Sequence, residues 1–311
     1  LVGVLDGVAV KPPDSRRQFH VAGTSFGAPK LTPGLYLVAT PIGNLGDISI
    51  RALQTLAAAD LIACEDTRVS RKLLSHYGIA AALSPYHEHN AQAARPKLLA
   101  RIAEGGAVAL ISDAGTPLIS DPGFKLVRAA HEAGLAVTAI PGASSVLTAL
   151  TVCGLPTDRF FFEGFLPVKA TQRSARMDEL ARIPASIVLF ESGPRIAGTL
   201  AELAAAFGAR EAAICRELTK LHEEVRRDTL PALAAIYAGE AETRGEFVIV
   251  IAPRPEEAQP QVADVDDMIR AALARLSVKD AVAELVAATG LKRRDVYQRV
   301  LELAKERDQT S

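Results

Sequence analysis

Short apolar runs alternate with amphipathic stretches from Leu35 to Ile140. The runs are Leu35–Thr40, Asp60–Glu65, Val108–Ser112 and Val137–Ile140, and each ends in a polar or glycine-rich turn. Between them Ile48–Ala58, Val69–His76, Ala93–Glu104 and Phe124–Ala133 place apolar residues at helical spacing. Strands alternating with helices call for parallel pairing, because only a long crossover returns the chain to the same sheet edge. Residues 34–153 are therefore expected to form a first α/β domain. A break at Gly154–Asp158 precedes a second set, with strands at Phe160–Phe165, Ile187–Glu191, Ala212–Arg216 and Phe247–Ala252. Helical patterns at 172–182, 196–206 and 231–237 complete a second α/β domain over 154–253. A Pro- and Glu-rich linker at 254–262 then leads into three short helical patterns, Val265–Leu276, Lys279–Ala288 and Arg294–Ala304. These predict a small helix-turn-helix-like bundle at 263–306. Residues 1–33 read as a disordered leader with no signal-peptide pattern.

Composition narrows the function classes. The 311 residues suit two domains and a small third, and 49% hydrophobic with 23% charged residues is a globular balance. A formal net charge of −1 excludes a surface basic all over, so any nucleic-acid contact must come from local patches. Cys64, Cys153 and Cys215 are far apart and form no CxxC pair. A disulfide framework or zinc site is not expected; inert buried thiols in a reducing, cytoplasmic setting are. No apolar stretch reaches the ~18 residues of a membrane span, so no membrane partner is expected.

Ligands of parallel α/β domains sit at the carboxyl ends of strands, and three turns there are unusual. In Thr40–Asp47, Gly43 and Gly46 permit backbone bends, and Asp47 or Ser49 can cap the next helix. The spacing is not GxGxxG, which leaves a dinucleotide fold unsupported. Ser112–Gly123 is dense in Gly, Pro, Ser and Asp, and Asp113 can accept hydrogen bonds from ribose hydroxyls or an ammonium. Asp121 and Pro122 also read as a helix entry. In Ile140–Val146, Ser144 or Ser145 can cap a helix. One such loop is weak evidence; three on one rim indicate a site.

These loops, together with Cys64–Arg68, Tyr86–Asn90, Phe161–Pro167 and Glu217–Glu224, resemble the ribosomal RNA small subunit methyltransferase I family. That family belongs to the tetrapyrrole (corrin/porphyrin) methylase superfamily and 2′-O-methylates a cytidine of 16S rRNA. The resemblance spans about Gly34 to Ala252 and extends to the helical tail. It implies two α/β domains of tetrapyrrole methylase type, S-adenosylmethionine (SAM) in the cleft between them, and a homodimer. Carried over by position, Pro41 belongs to the first contact loop, which reads Pro-Ile-Gly-Asn where porphyrin methylases carry Gly-x-Gly-Pro-Gly. Asp113, Ala114, Gly115 and Thr116 match the segment around methionine and ribose. Ser144 and Ser145 match a second contact loop, and Phe190 and Thr219 fall at expected adenine contacts.

A ribose 2′-OH is a very weak acid, so a base or cation should assist its methylation. Glu65 and Asp66 are candidates for base or hydroxyl orientation, and Lys220 for electrostatic help; a helix start and a solvated lysine are the plain alternatives. A sulfonium methyl is already activated, so no metal is called for. His87 and His89 lack an evident third ligand and suit hydrogen bonding to RNA or between domains. RNA-phosphate contacts are expected from Arg68 and from Lys292, Arg293, Arg294 and Arg299 on the last helix, where the alternative is a solvated face. Two other readings stand beside this one: a tetrapyrrole methyltransferase, and a non-enzymatic nucleic-acid-binding regulator.

Overall fold

The computed structural model describes residues 17–120, 123–240, 243–254, 262–289 and 293–310. Residues up to Pro253 form one compact unit, and those from Arg254 onward form another.

Strands β1 (Gln18–Val21) and β2 (Thr24–Gly27) pair as an antiparallel hairpin. This corrects the expectation of a disordered leader for its described part. Ala22 and Gly23 both take positive φ, +49° and +78°, as a tight two-residue hairpin turn demands. Phe19 is fully buried and stacks on Phe26, and the His20 N–H donates to the Tyr77 carbonyl (2.8 Å). Burial of that one aromatic is what docks the hairpin on the domain.

Next come β3 (Gly34–Val38), α1 (Ile50–Ala58), β4 (Leu61–Cys64), α2 (Thr67–His76), β5 (Leu83–Pro85), α3 (Ala91–Ala103), β6 (Ala107–Ile111), α4 (Phe124–Glu132), β7 (Val137–Ile140) and α5 (Ser145–Val152). The five strands form a wholly parallel sheet in the order β5-β4-β6-β3-β7. Central β6 is buried along its whole length because helices cover both faces. Leu53, Leu56 and Tyr77 pack in one core layer, and Leu98, Ile102 and Leu126 in the other. Ser49 caps α1, its hydroxyl accepting from the Ala52 N–H (3.0 Å).

The second half contains β8 (Phe160–Phe165), α6 (Ala170–Leu180), β9 (Ser186–Ser192), α7 (Gly193–Phe207), β10 (Glu211–Arg216), β11 (Glu224–Thr229), α8 (Leu230–Ala238) and β12 (Glu246–Ile251). Its order is β11-β10-β12-β9-β8, and only β8 and β9 run parallel. This sheet is mixed because β10 and β11 form a hairpin and β12 inserts antiparallel between β10 and β9. Helices α6, α7 and α8 cover one face around Leu200, Leu203 and Leu233. The other face, Val188, Ala213, Val248 and Val250, packs on Val146, Ala149 and Leu150 of α5 and on Ile42. That shared apolar layer welds the two sheets together. At the chain's crossing point Gly154 takes φ +61°, and its carbonyl accepts from Arg227 Nη2 (3.1 Å).

The second unit contains α9 (Val262–Leu273), α10 (Val278–Thr289) and α11 (Arg293–Thr310), packed around Ile269, Val282, Leu285 and Val300. Ser277 caps α10, accepting from the Asp280 N–H (3.3 Å) while its hydroxyl donates to Asp280 Oδ2 (2.6 Å). No helix of the described residues is long and apolar enough to cross a membrane.

Candidate functional site

Every strand of the parallel sheet ends at one rim. Cys64 is level with both Pro85 and Ile111, Leu37 with Leu110, and Val38 with Ile140. The residues just beyond therefore stand side by side along the rim. They are His87 after β5, Glu65 and Asp66 after β4, Asp113 after β6, Pro41–Asn44 after β3, and Gly142–Ser145 after β7.

Hydrogen bonds stitch the three loops predicted to form a site. The Thr40 N–H donates to the Gly115 carbonyl (2.9 Å) and the Gly115 N–H returns to Thr40 (3.1 Å). The Thr116 hydroxyl donates to the Ala143 carbonyl (3.1 Å), joining the second loop to the third. Gly115 is required: its φ is +81°, and a Cβ there would lie 3.2 Å from Ile42 Cγ2. Leu118 and Ser120 also take positive φ, +73° and +63°, conformations that cost a non-glycine residue about 1–3 kcal/mol each. Such strain persists only where surrounding structure imposes it, and it concentrates at ligand sites.

The second sheet supplies the facing wall of a cavity of about 410 Å³, within the usual range for small-molecule sites. Asp113, Ala114, Gly115, Thr116, Ser144 and Ser145 line one side. Phe190, Glu191, Ser192, Glu246 and Phe247 line the other. Phe190 meets Phe162 and Phe165 edge-on, with centroids 5.0 and 5.6 Å apart. Glu191 is almost wholly buried, and its carboxylate accepts from the Ser192 N–H (2.8 Å) and the Thr199 hydroxyl (2.7 Å). Cys215 lines the floor, and burial pushes its thiol up to about 12. It is therefore a neutral thiol rather than a nucleophile.

The first loop closes onto the turn after β10. The Asn44 N–H donates to Thr219 Oγ1 (3.1 Å), and Glu217 and Thr219 both take positive φ. Lys220 Nζ lies 2.8 Å from both Glu217 Oε1 and Glu246 Oε2. Burial alone would pull its pKa down; the hydrogen bonds it donates to the two carboxylates overcome that and hold it above the ordinary value.

A second cavity of about 480 Å³ lies further along the rim, lined by Glu65, Asp66, Thr67, Arg68, His87 and Asp113. Asp113 belongs to both cavities. Its Oδ1 accepts from the Asp66 N–H at 3.1 Å. Burial pushes the Glu65 carboxyl above its ordinary value, and the charge of Asp113 adds to the shift. Asp66 is lowered to about 2 by its side-chain hydrogen bond with Arg68, and its Oδ1 also caps α2 through the Arg68 N–H (2.8 Å). The helix-start reading of Asp66 thus describes its geometry.

Of the sequence candidates, Asp113, Ala114, Gly115, Thr116, Ser144, Ser145 and Phe190 line the first cavity, and Glu65, Asp66 and Arg68 the second. Pro41 is buried behind the first loop, and its neighbour Ile42 reaches the cavity instead. Thr219 and Lys220 hold the loop closure rather than lining either cavity. Sequence reading missed Ile42, Ser120, Glu191, Ser192, Glu246 and Phe247. In the second unit Arg293 and Arg294 are exposed. Arg299 is instead tied within the bundle to Asp266 (Nε–Oδ1, 2.8 Å) and Glu302 (2.7 Å). Lys292, Asp121 and Pro122 lie outside the described residues. Among the described residues no group of three or more His, Cys, Asp or Glu is arranged to hold a metal ion.

The chain was compared with known proteins. Residues 34–234 match the model of the Tetrapyrrole (Corrin/Porphyrin) Methylases, and residues 259–304 that of the RsmI C-terminal HTH domain. Ribosomal RNA small subunit methyltransferase I of Mesorhizobium japonicum is 51% identical over 284 residues, 91% of this chain and 96% of that protein. The protein of the same name from Erythrobacter litoralis is 50% identical over 276 residues, 89% of this chain and 97% of its own. Among solved structures, a diphthine synthase superposes with a TM-score of 0.56 at 18% identity, covering 70% of this chain and 89% of that one. A cobalt precorrin-4 methyltransferase does so with 0.53 at 17%, covering 70% and 94%. These structures share the fold. The chain belongs to the tetrapyrrole (corrin/porphyrin) methylase family and, within it, to the ribosomal RNA small subunit methyltransferase I proteins.

Proposed function

We propose that the protein transfers a methyl group from SAM to the ribose 2′-hydroxyl of a cytidine in 16S rRNA, acting as a cytoplasmic homodimer. The observation that carries this reading is the pair of adjacent cavities that share Asp113. One suits a donor and the other an acceptor, with a single carboxylate between them. The ribosomal substrate follows from the relatives' names.

The residues of the cavity between the two sheets fit SAM. Phe190 and Phe247 offer apolar surface for an adenine, Asp113 an acceptor for ribose hydroxyls or the ammonium, and the strained Gly115 loop a backbone cradle. Ser144 and Ser145 offer hydroxyls on the same wall. SAM supplies a methyl on a sulfonium, activated without a metal. The protein's part is to bring an oxygen in line and to exclude water. Glu65, its pKa raised by burial and by Asp113, is the group suited to accept the hydroxyl proton. Lys220, doubly paired, sets the closure of the donor cavity and is poorly placed to act as a base.

A tetrapyrrole substrate is the competing reading, and the Pro-Ile-Gly-Asn loop and the helical tail with its Lys292-Arg293-Arg294 run argue against it. The test is nucleoside analysis after incubating the protein with labelled SAM and small ribosomal subunits or their RNA. Label recovered as 2′-O-methylcytidine is expected; label on a base, or transfer to a porphyrin alone, rejects the proposal.

A further inference from the structure

We propose that the exposed face of α2 carrying Arg71 and Lys72 is a phosphate-binding surface that leads single-stranded RNA into the cavity at Glu65. The proposal rests on the RNA methyltransferase reading and assigns a surface that this reading leaves open.

Helix α2, Thr67–His76, contains Arg68, Arg71 and Lys72 and no acidic residue. Ser70 and Leu74 form its buried side, while all three cations are exposed. Positions i, i+3 and i+4 share one helix face, with Cβ atoms roughly 5–6 Å apart. Arg68 lines the second cavity, so Arg71 and Lys72 carry positive charge about one turn, ~5.4 Å, onward from its mouth.

Their position is the informative part: they stand beside the second cavity on a helix that carries no acidic residue. Several exposed or half-buried arginines of this unit pair with carboxylates, among them Arg128 with Glu132, Arg176 with Glu163 and Arg226 with Glu240. Arg68 itself pairs with Asp66. Among the described residues neither Arg71 nor Lys72 enters an ion pair. Both also precede the last turn of α2, where the only basic residue is His76, so relief of the helix C-terminus does not explain them. An unneutralised basic strip in a chain of net charge −1 is the local patch that a polyanion requires. Its continuity with a cavity holding Glu65 selects the occupant. A nucleoside can enter a cavity only from an unpaired strand, whose flanking phosphates must then cross the protein surface.

The test uses the full chain and a labelled single-stranded fragment of small-subunit rRNA, with binding read by fluorescence anisotropy over a salt series. For Arg71→Ala/Lys72→Ala we expect about tenfold weaker binding. The slope of log K against log salt should be shallower by about 1.4, two single-strand phosphate contacts. In turnover, KM for RNA should rise with kcat and the SAM-induced thermal shift unchanged. Arg71→Lys should restore most of the salt slope, and Arg128→Ala on α4 should leave binding intact. Wild-type-like affinity and salt slope in the double variant overturn the proposal, as does a change of oligomeric state with unchanged RNA affinity. The two readings fail separately. RNA bound through α2 without any methyl transfer sinks the assigned activity and leaves the surface standing. 2′-O-methylcytidine formed with equal efficiency by the double variant does the reverse.

Discussion

The carboxylate of Asp113 accepts a hydrogen bond from the backbone N–H of Asp66 at 3.1 Å, tying the end of β6 to the end of β4. Because the strands are neighbours and parallel, with Cys64 level with Ile111, the bond fixes the two cavities against each other. A shift of one loop must move the other. Alignment of donor and acceptor is the main task of an enzyme whose donor is already activated, and misplacement of about 1 Å can cost on the order of 10²-fold in rate.

Asp113→Ala removes both this tie and, under the proposed function, a contact to SAM. SAM should no longer raise the melting temperature, and KM for SAM should rise by at least about tenfold, the equivalent of ~1.4 kcal/mol. Asp113→Asn keeps an acceptor for the Asp66 N–H and should fall between wild type and alanine. Isothermal titration with SAM checks the order of the three.

The pH profile tests Glu65. A base works deprotonated, so kcat/KM should rise with pH through the Glu65 pKa, which burial and then Asp113 hold above the ordinary carboxyl value. Asp113→Asn removes a neighbouring negative charge and should move this acidic limb to lower pH. Glu65→Gln should lose the limb and lower kcat by about 10²–10⁴. A profile of Glu65→Gln that keeps the same limb assigns the proton to another group.

How much of this was legible in the sequence depends on which signals are local. The three rim loops stood out because Gly, Pro, Ser and Asp cluster directly after apolar runs, and a parallel sheet must put those ends on one side. Four strands were not legible. β5 is three residues ending in Pro85, and β11, Glu-Val-Arg-Arg-Asp-Thr, is an edge strand too charged to read as apolar. β1 and β2 turn on Ala22 at positive φ, where glycine or asparagine would have signalled a hairpin. Missing β11 hid the hairpin that gives the second sheet its antiparallel edge. It also left the facing wall of the cavity, Glu191 and Glu246 included, without a register from which to place it.

Gly43 should prove intolerant of a side chain for a reason that is steric and not conformational. A Cβ there would lie 2.5 Å from Lys220 Cγ and 2.9 Å from Thr219 Oγ1. Gly43→Ala should thus pry the first loop from the turn after β10, breaking the bond from Asn44 to Thr219. A loss of about 1–3 kcal/mol, the usual cost of overpacking, should appear as a lower melting temperature together with weaker SAM binding. Unchanged stability would mean that the loop closure yields freely.

Glu191 holds the wall opposite Asp113. Its carboxylate accepts from the Ser192 N–H and the Thr199 hydroxyl, and Arg195 Nε lies 3.3 Å away. Glu191→Ala leaves these donors without their acceptor in a buried site and should cost about 2–3 kcal/mol. Thermal denaturation of the full chain reads the loss. Glu191→Gln keeps one carbonyl acceptor and should recover part of it.

The helical unit offers a test that separates binding from packing on one helix. Arg293 and Arg294 are exposed at the start of α11, whereas Arg299 is bound to Asp266 and Glu302 inside the bundle. If the unit binds RNA phosphates, Arg293→Glu/Arg294→Glu should weaken RNA capture and flatten its salt dependence without changing the melting profile. Arg299→Ala should lower the stability of the bundle, because it strands the largely buried Asp266 without its partner. Deletion of residues 262–311 should then reproduce the RNA defect and leave the SAM-induced thermal shift nearly intact, since the cavity proposed for SAM is lined wholly by residues before Pro253. RNA capture that survives both the charge reversal and the deletion would assign the tail a structural role and leave RNA binding to the α/β unit alone.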